Sequence, residues 1–125
     1  MAAGPTGDRW HRLEGTNALY LNRGGWRFEE AARAAGVECP GQASTGCLLL
    51  DVDGDRDLDL LVNALGGGTR LFLNDARGRF TESTNSGFAR RLGATSLAAA
   101  DLTGDGLPEV YVANYRTTTY RDGFD

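Results

Sequence analysis

The sequence predicts an all-β chain, and three observations carry that expectation. Apolar runs are short, about four to eight residues, turn-forming residues bound them, and a set of landmarks recurs at a period near fifty residues. The chain of 125 residues holds 18 glycines and three prolines, many in Asp-Gly, Gly-Asp and Asn-Xaa breaks, so turns and brief strands fit better than long helices. One ordinary domain at most is expected from this length, and an apolar fraction of 41% is adequate for a packed core.

Charge and patterning exclude several classes of function. Thirteen basic residues against 17 acidic ones leave a net charge of −4, and the arginines are scattered, so no nucleic-acid footprint is expected. The lack of an apolar run of about 18 residues argues against membrane insertion, and the polar start Met1 to Asp8 lacks the apolar core of a signal peptide. Cys39 and Cys47 lie eight positions apart in a Gly/Ser/Thr-rich stretch. They permit a local disulfide in an oxidising compartment and are equally compatible with two free thiols.

The repeat is visible by eye. Leu19-Tyr20-Leu21-Asn22, followed by Phe28 and Glu30, returns as Leu71-Phe72-Leu73-Asn74, followed by Phe80 and Glu82, a shift of 52. Gly36-Val37 returns as Gly87-Phe88, a shift of 51. Leu48 to Asp51, with Val62 further on, returns as Ala98 to Asp101 with Val112, a shift of 50. Strands are expected near residues 18–22, 26–30, 46–51, 58–65, 70–74, 79–83, 95–101 and 109–115. The third to sixth form one four-stranded meander, the first two end a preceding unit, and the last two open the next.

Four strands in a repeat near fifty residues is the arithmetic of a β-propeller, so the fold class is a partial β-propeller of about two antiparallel blades. The expected organisation is an N-terminal extension at 1–14, the end of one blade with its connector at 15–45, a complete central blade at 46–84, and the start of the next at 85–125. Glu29 to Gly36 reads as a helix of about two turns closed by glycine, whereas its counterpart 82–87 is poor in helix formers and reads as at most a turn. The remaining blades of the ring would be partners of this segment.

The densest polar pattern is Asp51-Val52-Asp53-Gly54-Asp55-Arg56-Asp57-Leu58-Asp59. Carboxylates at loop positions 1, 3, 5 and 9 (Asp51, Asp53, Asp55, Asp59) and the main-chain oxygen of Asp57 at position 7 are the oxygen set that Ca²⁺ takes, with the Asp57 side chain turned to solvent. The copy Asp101 to Glu109 keeps the spacing, with Asp101, Thr103, Asp105 and Glu109 as side-chain ligands and Leu107 offering its carbonyl. Position 6, Arg56 in one loop and Gly106 in the other, is where a sharp turn asks for positive φ. An EF-hand is excluded because its bidentate glutamate at position 12 is replaced by Val62 and Val112. The plainer alternative is that Asp-Gly pairs make hairpin turns for backbone reasons alone.

At these residues the sequence resembles the FG-GAP/VCBS repeat, whose Asp-x-Asp-Gly-Asp-Gly-x-x-Asp-Leu signature is nearly met by Asp51 to Leu60 and more loosely by Asp101 to Val110. The Leu-Tyr-x-Asn and Gly-x-Phe-x-Glu pattern at Leu19 to Glu30 and Leu71 to Glu82 is similar to the bacterial ASPIC/UnbV group, relatives of cartilage acidic protein. Together they cover about residues 15–116, and the departures are Arg56 for glycine, Thr103 for an acid and Glu109 for aspartate. The resemblance implies a seven-bladed propeller of the integrin α type, extracellular, surface-exposed or periplasmic, with calcium held in the first hairpin of several blades.

No catalytic constellation accompanies these loops. His11 beside Trp10 is isolated, and no serine, cysteine or lysine cluster suggests covalent catalysis. Trp26, Phe28, Phe72 and Phe80 occupy expected strand positions, where packing between blades is their predicted role and sugar stacking the lesser one. The expected function is a non-catalytic, calcium-dependent scaffold for a protein or glycan ligand, as in adhesion. Two alternatives stand beside it: an accessory or substrate-binding propeller of a carbohydrate-active enzyme such as a polysaccharide lyase, and a short chain that assembles copies into a ring.

Overall fold

The computed structural model describes residues 15–88 and 93–115, so the predicted extension at 1–14, His11 included, lies outside the described residues. Among the described residues there are eight strands and one short helix: β1 (Tyr20–Asn22), β2 (Phe28–Glu30), α1 (Ala32–Ala35), β3 (Ala43–Leu50), β4 (Asp59–Leu65), β5 (Gly68–Asn74), β6 (Phe80–Ser83), β7 (Gly93–Ala100) and β8 (Glu109–Tyr115). All pairing is antiparallel. A four-stranded meander β3-β4-β5-β6 stands between two hairpins, β1-β2 and β7-β8.

The sequence repeat reappears in the strand registers. Leu48 faces Leu61 across β3 and β4, and Ala98 faces Tyr111 across β7 and β8, each member moved by fifty positions. The register slips by one residue between Ser44 and Gly46, and again between Ala94 and Ser96, leaving Thr45 and Thr95 as equivalent bulged residues. Thr45 donates its hydroxyl to the Ala94 carbonyl at 2.7 Å, and Thr95 donates to the Ala113 carbonyl at 3.2 Å.

β4 is buried from Asp59 to Ala64 because both of its faces are covered. Leu60 and Val62, with Phe72 from β5, meet Ala32, Ala35, Val37 and Cys39 from the helix and its connector. Leu61 and Asn63 emerge on the opposite face, toward β7, which lies against β3 and β4. On this second face Thr69 donates its hydroxyl to the Asn63 side-chain oxygen at 2.8 Å. Arg70 stacks over the Phe72 ring, 4.8 Å from its centroid, and grips Glu82 with two nitrogens while a third donor reaches the Gln42 side chain at 3.1 Å.

Several sequence expectations shift in detail. The helix is one turn, not two, because Glu29 and Glu30 remain in β2, paired with Leu21 and Tyr20. The Glu30 carboxylate then accepts the Ala32 amide at 2.8 Å, and Gly36, at φ 81°, closes the turn. Trp26 is not a strand residue: it lies in the β1-β2 turn at φ 61° and is 93% exposed, where the repeat places Gly78 at φ 79°. The five-residue connection needs a left-handed residue there, so the side chain is turned to solvent instead of into an interface. Phe28 is exposed as well, while Phe72 is buried and Phe80 packs against the core. Cys39 and Cys47 are free thiols, the first buried and the second exposed, and burial pushes the Cys39 thiol up.

Phe72 fills the centre of the first face at 2% exposure, so Phe72→Ala is expected to lower stability by about 3–5 kcal/mol in denaturant melts. In the β5-β6 turn, Asp75 accepts the Arg77 and Arg79 amides at 2.9 and 3.1 Å, and these bonds hold its carboxyl below the ordinary carboxylate range. A depressed folded-state pKa means a contribution that is full above the unfolded pKa and lost as pH falls through the folded one. Asp75→Asn should therefore lower the melting temperature at neutral pH, with the gap to wild type closing in strongly acidic buffer.

Candidate metal site

The two acidic loops connect β3 to β4 and β7 to β8, and each is stapled by its own carboxylates. Asp51 accepts the amides of Gly54 at 2.7 Å and Arg56 at 2.9 Å, and Asp101 accepts those of Gly104 at 2.7 Å and Gly106 at 2.9 Å. At position 5, Asp55 accepts the Asp57 amide at 3.0 Å, as Asp105 accepts the Leu107 amide at 2.9 Å. At position 9 the side chain reaches back to position 2: Val52 donates to Asp59 at 3.0 Å and Leu102 to Glu109 at 2.6 Å. Positions 1, 5 and 9 thus carry the turn itself, a purpose the plainer hairpin reading also supplies.

Position 3 distinguishes the loops. Asp53 accepts only a 3.3 Å bond from Asp55, and it joins Asp51 and Asp59 in a group in which one carboxylate oxygen from each residue lies within 4.8 Å of the other two. Partial loss of water raises the Asp53 pKa, and repulsion from Asp55, Asp59 and Asp51 adds to the rise. In the second loop Thr103 stands at this position and donates its hydroxyl to Glu109 at 3.2 Å, so the longer acid folds onto residue 103. Among the described residues no comparable trio forms around Asp101 and Asp105.

Asp59 is 1% exposed, and its other oxygen accepts the Asn74 amide at 2.9 Å. The Asn74 side chain in turn donates to the Leu58 carbonyl at 3.1 Å. One buried carboxylate therefore connects the loop, the start of β4 and the end of β5. Sequence reasoning marked Asn22 and Asn74 as repeat landmarks but missed this anchoring role, and it missed the Arg70 and Glu82 pair. The signal for the asparagine was its fixed place after each Leu-x-Leu run.

The Asp57 side chain does not turn to solvent as expected. Its Oδ1 is shielded and has no hydrogen-bond partner of good geometry, and the carboxylate lies beside the Ala76 amide of the β5-β6 turn. Desolvation, followed by repulsion from Asp55, pushes this carboxyl up. The hard, oxygen-only, multiply charged donor set at Asp51, Asp53 and Asp59 suits Ca²⁺, whose ligands sit about 2.3–2.6 Å from the ion and so about 3–5 Å from each other.

Residues 51–112 match the FG-GAP-like repeat family, and the chain carries a repeat of that type. Its relatives are of the cartilage acidic protein type: it is 30% identical over 110 residues to cartilage acidic protein 1 of Homo sapiens and 32% identical over 110 residues to that of Mus musculus. Each alignment takes in 84% of this chain and 17% of the relative, so the chain spans about one sixth of those proteins. Among the described residues no helix is long and apolar enough to cross a membrane.

Position 6 of the loops gives a direct test of local strain. Gly106 stands at φ 89° and Arg56 at φ 77°, and only the second has a Cβ to accommodate in that conformation. Arg56→Gly should raise stability by roughly 1 kcal/mol in calcium-free denaturant melts.

Proposed function

We propose that this chain is a calcium-stiffened segment of an extracellular or surface β-propeller, a non-catalytic scaffold for a protein or glycan ligand. The convergence of Asp51, Asp53 and Asp59 carries the calcium reading, because Asp53 makes little use of its charge in holding the turn. In this reading Asp51, Asp53, Asp55 and Asp59, with the Asp57 main-chain oxygen, hold the ion in the first loop. Asp101, Thr103, Asp105, Glu109 and the Leu107 carbonyl form a weaker second site, since fewer negative ligands lower affinity. The four-stranded sheet is one blade, and the flanking hairpins belong to its neighbours.

The ion supplies charge neutralisation and rigidity. Extracellular modules bind calcium with Kd about 10⁻⁴–10⁻³ M, so at ~1 mM calcium each site contributes on the order of 0.4–1.4 kcal/mol. That amount stiffens a hairpin already closed by its own hydrogen bonds.

Calorimetric calcium titration of the chain, with magnesium as control, tests the reading. Saturable binding is expected, and Asp53→Asn, which keeps an oxygen but removes the charge, should weaken the first site by about tenfold or more. Absence of binding at millimolar calcium in a folded sample would return both loops to plain hairpin turns.

A further inference from the structure

The two acidic loops touch. Gly54 stands at φ 83° between Asp53 and Asp55, with its amide held by Asp51 at 2.7 Å. A Cβ placed on it would meet Leu107 Cδ2 of the second loop at 3.5 Å, so the leucine side chain lies over this glycine. Leu107 follows Gly106, at φ 89°, and its own amide is held by Asp105 at 2.9 Å. Each side of the contact is therefore a link in the backbone that spaces one set of acids.

The meeting point is fixed by the packing of the two sheets. The hairpin β7-β8 lies against β3 and β4, with Thr45 bonded to the Ala94 carbonyl at 2.7 Å near one end and Leu107 on Gly54 at the other. Position 7 is where both loops reach beyond themselves. The Asp57 carboxylate lies beside the Ala76 amide of the β5-β6 turn, and the Leu107 side chain lies on the neighbouring loop. Leu107 is 41% exposed, whereas Leu58 and Leu102, at positions 8 and 2 of the loops, are 53% and 78% exposed.

Charge does not make this connection. The carboxylates that repel Asp53 are Asp55, Asp59 and Asp51, all of its own loop, and the groups that meet between the loops are a methyl and a glycine. Charge alone would also couple the loops with the opposite sign, because a cation held in one offsets the acids that attract a cation to the other.

We infer that the Leu107 side chain couples the two loops, so that filling either one with calcium strengthens binding at the other. This rests on the calcium reading above and deepens it. The Gly54 backbone is fixed when Asp53 and Asp55 close on an ion, and a fixed Gly54 gives Leu107 a firm seat. The Leu107 carbonyl belongs to the second loop's oxygen set, so order gained at the side chain is order that the second loop need not supply on binding. Linkage makes the effect mutual: the factor by which the second loop strengthens the first is also the factor in reverse.

NMR of the whole chain during calcium titration reads the loops separately, with the Gly54 amide reporting the first and the Gly104 and Gly106 amides the second. Leu107→Ala leaves every ligand oxygen and every charge in place, yet it should weaken the first loop, in which nothing has changed, by about fivefold. Leu107→Met keeps a flexible apolar chain over Gly54 and should restore most of that affinity. Asp101→Asn weakens the second loop directly. It should lower first-loop affinity by a similar factor in the wild-type background and by nothing further in Leu107→Ala. A first-loop midpoint unchanged in Leu107→Ala, with both loops still saturating, would overturn the coupling and leave the calcium reading standing. So would a first-loop loss in Asp101→Asn that persists in full in Leu107→Ala, since the loops would then communicate by another route. If none of the three glycine signals responds at millimolar calcium in the folded chain, the calcium reading fails and the coupling fails with it.

Discussion

A buried carboxylate that accepts two backbone amides organises the centre of this molecule. Asp59 closes the acidic loop through the Val52 amide and holds the end of β5 through the Asn74 amide, at 1% exposure. A charge so shielded is stable only when its lone pairs are satisfied, and here both oxygens are. Because Asp59 is also the first residue of β4, the position of the loop and the pairing of β4 with β5 are set by one group. The sheet that buries Leu61 and Phe72 extends from that point.

The same device explains why the two loops differ in character while sharing a backbone. Both keep the staples at positions 1, 5 and 9, so both turn in the same way. The carboxylate at position 3 is not required by the turn, and it is present in the first loop and absent in the second. Loss of hydration, with repulsion from Asp55, Asp59 and Asp51 added to it, raises the Asp53 pKa, and this carboxylate is one that the fold of the first loop hardly uses. Thr103 removes that charge and lets Glu109 fold inward.

Much of this was legible from residues alone, because strand order in a meander follows chain order and the repeat fixed which runs were equivalent. The eight strands, the turn-closing Gly36 and the positive φ at position 6 all follow from local rules of pattern and turn chemistry. Trp26 was misplaced because an aromatic beside Phe28 reads as a strand, whereas its conformation is dictated by the loop length between Asn22 and Phe28. The Asp57 orientation and the Asn74 anchor depend on the β5-β6 turn reaching back over the acidic loop. Those contacts join residues 15 positions apart at Asp59 and Asn74 and 19 apart at Asp57 and Ala76, which periodicity does not encode.

The bulges at Thr45 and Thr95 divide each inner hairpin into two mechanically separate parts. Past the bulge, five consecutive pairs from Gly46 to Leu50 and from Ser96 to Ala100 run unbroken into the acidic loop and fix its geometry. Before it, Ala94 is fully buried and accepts the Thr45 hydroxyl from the neighbouring sheet. A one-residue change of length upstream can be taken up at the bulge without shifting a single carboxylate. Spacing between sheets and chemistry of the loops are therefore free to diverge independently from one repeat to the next, as the drift from 52 to 50 residues along this chain already records.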